Sequence, residues 1–352
     1  MHTDTLVLDK PAAAPVGTHQ ICACFQIPAD TFELIYGDEC ARALAALCDY
    51  REAATRLDWS APHALPDWVA DIEVLFTGWH SRRLDAELLA RMPSLRAVFH
   101  GGGTIRPLVS EEFWRRGIRI STAASANAVP VGEFAAAMIL LALKRAWGLG
   151  RDYMAKRQFA CTHPDVPGAC GSVVGLVSLG HIGRLVRERL RALDVQVIAY
   201  DPYLPRAAFD RLEVEPVSLP ELMRRSDMVS LHSPLNDQTR GLIGRELLGC
   251  MKRGASLLNT SRGGVIDEPA LVDFLRERPD VQALLDVTDP MPARPDSPLF
   301  DLPNVFLTPH IAGSLGPECR RMGRLMIAEF ERHLRGQPLQ FEVTRAQAEL
   351  QT

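Results

Sequence analysis

Several things are missing from this chain of 352 residues, and each narrows what it does. There is no basic excess: 39 Lys and Arg against 43 Asp and Glu leave a net charge of −4. Neither a nucleic-acid footprint nor a polybasic membrane patch is therefore expected. No uninterrupted apolar run approaches the roughly 20 residues that span a bilayer, so no membrane partner is expected. The first residues, MHTDTLVLDKPAAAPVGTHQ, lack a basic head followed by an apolar segment, which argues against secretion. Residues 1–19 read as a mobile tail. No CxxC pair occurs among Cys22, Cys24, Cys40, Cys48, Cys161, Cys170, Cys250 and Cys319. A reduced, cytoplasmic chain without metal fits better than a disulfide framework. Cys22 and Cys24 alternate on one face of a strand, where burial is favoured over metal binding.

What is present is ordinary for a globular protein, 47% hydrophobic and 23% charged, but too long for one core. Short apolar runs alternate with helical patterns. ICACFQI, DIEVLFTGW, LRAVFHGGG and IRISTA read as strands, with helices in ARALAALC, LDAELLARM and SEEFWRRG. A long apolar helix is predicted from Val129 to Trp147, with Asn127 as its N-cap and Pro130 in its first turn. The alternation then restarts with GSVVGLVSL, VQVIAYD, MVSLHS, ASLLNTS, VQALLDV and NVFLTPH. These strands are almost continuously apolar, as in a parallel sheet covered on both faces. A last helix is predicted from about Pro317 to Leu334. The pattern is α/β, with two open, doubly wound domains. Chain crossings fall near residues 122 and 315.

The run VVGLVSLGHIGRLVRERL places Ser178, Gly180 and Gly183 at the three positions of a GxGxxG turn between strand and helix. Gly180 lets a backbone approach a pyrophosphate, and Gly183 lets helix and strand pack closely. The helix N-terminus, beginning at His181 and Ile182, offers free N–H groups to phosphate. Asp201 ends the next strand at the spacing expected for a carboxylate on ribose hydroxyls, which favours NAD over NADP. The alternative is a strand-end turn residue.

Later stretches resemble the D-2-hydroxyacid dehydrogenase family. SLHSPLNDQTRGLIG is similar to its cofactor-lining segment, with His232, Pro234 and Thr239 matching. GASLLNTSRGGVIDEPALVDFL resembles the strand, loop and helix that carry the family's catalytic arginine, here Arg262 with Thr260 and Ser261 beside it. LTPHIAGS resembles the segment of the catalytic histidine, here His310 with Gly313 after it. HGGGTIRPL resembles the loop that holds a substrate carboxylate on backbone N–H groups, here Gly102, Gly103, Thr104 and Ile105. The resemblance implies a Rossmann-type NAD-binding domain, residues 122–315, inserted into a flavodoxin-like substrate domain, residues 20–121 and 316–352.

It also implies a reaction. Arg262 would bind a 2-oxo acid and polarise its carbonyl, and His310 would give or take the proton. Both would touch substrate and cofactor, with Asp286 lining the cofactor. His100 and His232 fall near the same cleft and read as structural or cofactor-lining. Trp79, His80 and Arg106 lie in loops near it. The likeness fails at one position. Relatives carry a glutamate five residues after the aspartate that is Asp286 here, and this chain has Met291 in LDVTDPMP. Methionine cannot accept the strong hydrogen bond that would favour an imidazolium. Asp289, two residues earlier, is the alternative carboxylate. The expected function is a small-acid, NAD-dependent oxidoreductase with weak or pH-shifted activity. The competing reading is an NAD(H)-binding sensor or scaffold. The apolar helix suggests a homodimer, as in relatives.

Overall fold

Apolar strands alternating with helices give two parallel sheets in the computed structural model, which describes residues 20–159 and 166–350. The amino-terminal tail and Cys161 lie outside the described residues. The first sheet contains β1 (Cys22–Phe25), β2 (Asp49–Tyr50), β3 (Val74–Gly78), β4 (Ala97–Gly101) and β5 (Arg119–Thr122), in the order β2-β1-β3-β4-β5. The second contains β6 (Ser172–Val177), β7 (Val195–Tyr200), β8 (Glu215–Pro216), β9 (Met228–Leu231), β10 (Ser256–Asn259), β11 (Gln282–Leu285) and β12 (Val305–Leu307). Its order, β12-β11-β10-β9-β6-β7-β8, reverses direction between β6 and β9. A crevice opens at such a switch point, beyond the carboxyl ends of the strands.

The two-residue edge strands β2 and β8 carry too little pattern to be read from sequence. Burial explains why the central strands were legible. Every residue of β9 and β10 is buried, as a sheet covered by helices on both faces requires. Cys22 and Cys24 join the core on one face of the first sheet, and the seven described cysteines are free.

The helix Arg320–Leu334 returns to the first sheet, and it is not the last as expected, since a short helix, Arg345–Leu350, follows it. Its Phe330 ring meets Phe76 and Phe99 at 5.4 and 5.6 Å. The buried carboxylate of Glu329 then accepts from Ser121 Oγ at 2.8 Å and from the Gln340 and Phe341 amides at 3.1 Å. A buried carboxylate is tolerated when donors surround it, and these pin the tail segment to β5. The expected helical start at Pro317 is instead a 3-10 turn, Gly316–Cys319.

The long apolar helix differs from expectation at both ends. It spans Ala124–Leu143, with Ala123 as N-cap. Asn127 therefore lies inside the helix, and Pro130 sits within it rather than in its first turn. The helix stops at Leu143 because Arg145 takes a left-handed backbone (φ 49°). The Arg145 guanidinium anchors that turn on the carbonyls of Gly254 and Asp280 at 2.7 and 2.8 Å. Trp147 belongs to the next helix, Ala146–Lys156.

A second correction concerns membranes. With 20 residues and a mean hydropathy of 1.7, Ala124–Leu143 is long and apolar enough to cross a bilayer by composition alone, Glu133 notwithstanding. Its buried face, with Ala135, Met138, Ile139, Ala142 and Leu143, packs into the core of the second sheet. An interior position accounts for that composition.

Candidate active site

The candidate residues of the second sheet fall in one row. Ser178 to Gly183 follow β6, Asp201 follows β7, and His232 to Thr239 follow β9. Thr260 to Arg262 follow β10, Asp286 to Met291 follow β11, and His310 follows β12. All these strands are parallel, so their carboxyl ends bring the loops to one edge of the sheet.

At the glycine turn, Ser178 adopts a left-handed backbone (φ 74°), and its hydroxyl pairs with Ser233 Oγ at 2.9 Å. A Cβ on Gly183 would lie 2.3 Å from the Ser178 carbonyl oxygen, so only glycine permits this helix–turn approach. A Cβ on Gly180 would meet nothing within 4 Å. Gly180 caps the helix His181–Leu190, whose first turn receives no side-chain cap. Its N–H groups are thus available to an anion. His181 is exposed and Ile182 packs against the core.

Asp201 Oδ2 accepts from the Leu179 amide at 2.9 Å, and Oδ1 from the Tyr203 amide at 3.0 Å. The carboxylate therefore stands beside the glycine turn, and it also serves the turn that follows β7. Thr239 closes the 234–239 turn by donating to the Pro234 carbonyl at 2.5 Å and accepting from the Asn236 amide at 2.9 Å. His232 is buried and bonds Ser230 Oγ through Nε2 at 3.0 Å, while burial holds it down to about 4. Its Nδ1 and the Thr260 hydroxyl are buried without a partner among the described residues. Orphaned polar atoms beside an uncapped helix terminus and an open glycine fit a dinucleotide laid along this edge.

Asn259, missed in the sequence, builds the arginine loop. Its Oδ1 accepts from the Ser261 amide and hydroxyl at 3.0 and 2.8 Å, and its Nδ2 donates to the Arg262 carbonyl at 2.8 Å. Its signal was a lone amide at the end of an apolar strand. Arg262 is half-buried, and desolvation pulls its guanidinium below the ordinary value. Its Nη1 donates to the Ser261 carbonyl at 2.7 Å. A Cβ on Gly263 would sit 2.0 Å from the Thr288 carbonyl carbon, so the loops after β10 and β11 touch backbone to backbone.

His310 is exposed with a left-handed backbone (φ 56°). Asp286, only 1% exposed, frames it. Its Oδ1 accepts from Thr308 Oγ1 at 2.6 Å and the Ile311 amide at 2.8 Å, and its Oδ2 from the Ala312 amide at 3.0 Å. Met291 is 45% exposed. Asp289 pairs with Arg240 at 3.6 Å, and its amide donates to Glu268 at 2.9 Å, in a cavity of about 250 Å³ lined also by Gly241 and Gly264.

The loop after β4 reaches the same place. The Ala123 amide donates to the carbonyls of His100 and Gly102 at 2.9 and 3.0 Å. One helical turn on, Asn127 Oδ1 accepts from the Ser314 amide at 2.9 Å and crowds Gly313. The start of one helix thereby ties the glycine loop to the histidine loop. Among the described residues the Gly103 and Thr104 amides donate no hydrogen bond, which suits a nest for a carboxylate. Ile105, named with that loop for its backbone, buries its side chain. It is fully buried in the first core with Leu108 and Phe113, so its side chain faces away from any substrate.

Comparison with known proteins decides the family. Residues 137–312 match the family described as D-isomer specific 2-hydroxyacid dehydrogenase, NAD binding domain. An (S)-sulfolactate dehydrogenase of Chromohalobacter salexigens is 35% identical over 257 residues, 72% of this chain and 82% of that protein. The chain belongs to the D-isomer specific 2-hydroxyacid dehydrogenase family. A D-3-phosphoglycerate dehydrogenase of Mycobacterium tuberculosis is 36% identical over 244 residues, 68% of this chain and 45% of that protein. The chain thus spans about half the length of several curated relatives that it matches. Among solved structures, a Thermus thermophilus protein superposes with a TM-score of 0.68 at 28% identity, covering 92% of this chain and all of that one. A phosphoglycerate oxidoreductase from Rhizobium etli reaches 0.76 at 24% identity, covering 93% and 99%, a likeness of fold.

Proposed function

We propose that this family member transfers a hydride between NAD(H) and a small D-2-hydroxy acid or its 2-oxo acid. The observation that carries the reading is the tie that the start of one helix makes between the glycine loop, through Ala123, and the loop of the Asp286-framed His310, through Asn127, with Arg262 at the end of a parallel strand of the same sheet as that histidine. The amides and the planar Arg262 fork would bind the substrate carboxylate, and Arg262 would polarise the adjacent carbonyl. Bound NADH supplies the hydride to the carbonyl carbon. His310 gives its proton to the carbonyl oxygen, and takes it back in oxidation. Ser178, Gly180, His181, Ile182, Gly183, Asp201, His232, Pro234, Thr239, Thr260, Ser261, Asp286 and Gly313 would line the dinucleotide. Residues 122–315 form the cofactor unit in this reading, and the rest the substrate unit.

Met291 stands at the third catalytic position, and the carboxylate of Asp289, two residues earlier, pairs with Arg240. Reduction is accordingly weaker, or shifted to lower pH, than with a glutamate there. A cytoplasmic homodimer completes the proposal. Leu141, Tyr153, Met154 and Phe159 are exposed apolar side chains along or just after the helices 124–143 and 146–156, suited to a second copy.

The test is NADH oxidation with a panel of 2-oxo acids, including phosphorylated and sulfonated ones, since Arg106 is exposed beside the glycine loop. Arg262→Ala should abolish most turnover and leave NADH affinity nearly unchanged. Tight NADH binding without turnover of any acid would favour the sensor reading.

A further inference from the structure

Glu268 is a half-buried carboxylate that the proposed chemistry does not use. It opens the helix Glu268–Glu277, just after the arginine loop, where Asp267 already serves as N-cap by accepting from the Ala270 amide. Glu268 Oε2 instead accepts from the Asp289 amide at 2.9 Å, in the loop after β11. Burial raises its carboxyl above the ordinary value, and the Asp289 amide opposes the rise. In such partly dry surroundings a hydrogen bond is stronger than at the open surface.

The bond lies where three loops interlock. After β9, the Gly241 amide donates to the Gly264 carbonyl at 2.8 Å, and the Ile243 amide to the Val265 carbonyl at 3.0 Å. Residues 263–265 directly follow Arg262, so this pairing fixes one side of the arginine loop. Its other side abuts the loop after β11. A Cβ on Gly263 would lie 2.0 Å from the Thr288 carbonyl carbon, so no side chain separates the two backbones.

Residues 288–292 are stiff in themselves. Thr288 Oγ1 donates to the Pro290 carbonyl at 2.7 Å, and the rings of Pro290 and Pro292 fix their φ angles. A stiff loop moves as a unit, so its placement depends on where it is fastened. Two side chains fasten it at Asp289. Arg240 pairs with the carboxylate at 3.6 Å, but the partners are 63% and 50% exposed, and such a pair contributes little. Glu268 holds the amide, and that is the stronger fastening.

We propose that Glu268 is a positioning residue: by holding the Asp289 amide it keeps the 288–292 loop against Gly263, and so fixes Arg262 for the substrate carboxylate. The inference rests on reading Arg262 as the group that binds the acid. Without the bond the loop lifts from Gly263, and the guanidinium must be ordered at the moment the acid binds. Acid binding weakens. Dinucleotide binding is spared, because the bond is made to the loop after β11 and not to the glycine turn after β6.

Oxamate, an unreactive 2-oxo acid analogue, is titrated calorimetrically into the full-length protein saturated with NADH. Glu268→Ala removes the acceptor and should weaken oxamate about tenfold, one hydrogen bond's worth. Glu268→Gln keeps an oxygen acceptor of the same reach without the charge, and should restore most of that loss. NADH affinity should stay unchanged in both. If Glu268→Ala lowers Tm but binds oxamate normally, the carboxylate only stabilises the helix start, and the proposal is overturned. It is overturned equally if Glu268→Gln is as weak as Glu268→Ala, or if NADH binding falls in parallel with oxamate binding. Arg262→Ala tests the underlying reading. If oxamate binds that variant as it binds the unaltered protein, or binds neither, Arg262 does not hold the acid and the inference falls with that reading. Should Glu268→Ala fail to fold, Glu268→Asp, which draws the carboxylate back by one methylene, must weaken oxamate at least about threefold for the proposal to stand.

Discussion

Asp286 holds His310 in a backbone conformation that histidine rarely adopts. A left-handed non-glycine residue costs about 1–2 kcal/mol. Three donors from the 308–312 segment converge on the Asp286 carboxylate, and its backbone carbonyl accepts from the His310 amide at 3.1 Å. The exposed imidazole is thus presented by a buried side chain at the end of the neighbouring strand, with no direct contact between the two side chains needed.

Asp286→Asn tests this. The amide nitrogen cannot accept, so at least one of the Thr308, Ile311 and Ala312 donors is left facing another donor. A lost hydrogen bond to a buried charge should cost about 1.5–3 kcal/mol of stability. Turnover should fall at least tenfold, because His310 is no longer held. A lowered Tm with unchanged kcat would separate the loop geometry from the chemistry.

Acid should destabilise the protein before its carboxylates titrate. Burial lowers His100 and His232 from 6.5 to about 4 in the folded state. The unfolded chain then binds more protons between those values, so stability is full above about pH 6.5 and falls as pH drops towards 4. Each group can account for about 3 kcal/mol at most. Urea unfolding at pH 7.5, 6, 5 and 4.5 would show it. A flat profile down to pH 4.5 would contradict the burial of both rings.

The two sheets were legible in the sequence because β strands with two covered faces are almost wholly apolar, and the family because NTSRGG and TPHIAGS are distinctive short runs. What escaped did so for physical reasons. Ile105 shares a loop with Gly102 and Gly103, and only the packing turns its side chain into the core. Asn127 looks like a helix cap by position. In the fold it lies inside the helix and bonds Ser314, 187 residues away in the chain. Asn259, and the bonds of Asp286 to the Ile311 and Ala312 amides, went unread because no local pattern announces which amides a side chain will meet.

The two glycines of the dinucleotide turn should separate folding from binding. Gly183→Ala pushes a methyl against the Ser178 carbonyl, and overpacking of that kind costs roughly 1–3 kcal/mol. Gly180→Ala adds its methyl to open space and should leave Tm almost unchanged while weakening NADH binding. Equal effects of both on Tm would mean that the close approach at Gly183 is not the constraint.

Asp201 should make NADH preferred over NADPH by at least about tenfold in kcat/KM, near 1.4 kcal/mol. Asp201→Ala should narrow that preference. It should also loosen the glycine turn, since the Leu179 amide loses its acceptor. Equal use of the two cofactors by the unaltered protein would remove Asp201 from the ribose.

Met291→Glu is the sharpest test of the departure from the family pattern. Met291 is 45% exposed, so the change should alter stability by no more than about 0.5 kcal/mol. Reduction of a 2-oxo acid needs a protonated His310, and a carboxylate within reach of the ring favours that form. The high-pH limb of reductive kcat/KM should move up by roughly 1–2 pH units, worth about 1.4–2.7 kcal/mol. Turnover near pH 7 should rise accordingly. Oxidation of the hydroxy acid needs the neutral ring, so its low-pH limb should move up in the same variant. Asp289→Asn is the control. With its carboxylate paired to Arg240, it should leave the pH profile of the unaltered protein in place. If instead Asp289→Asn shifts the profile and Met291→Glu does not, Asp289 already partners the histidine, and the methionine merely occupies the loop.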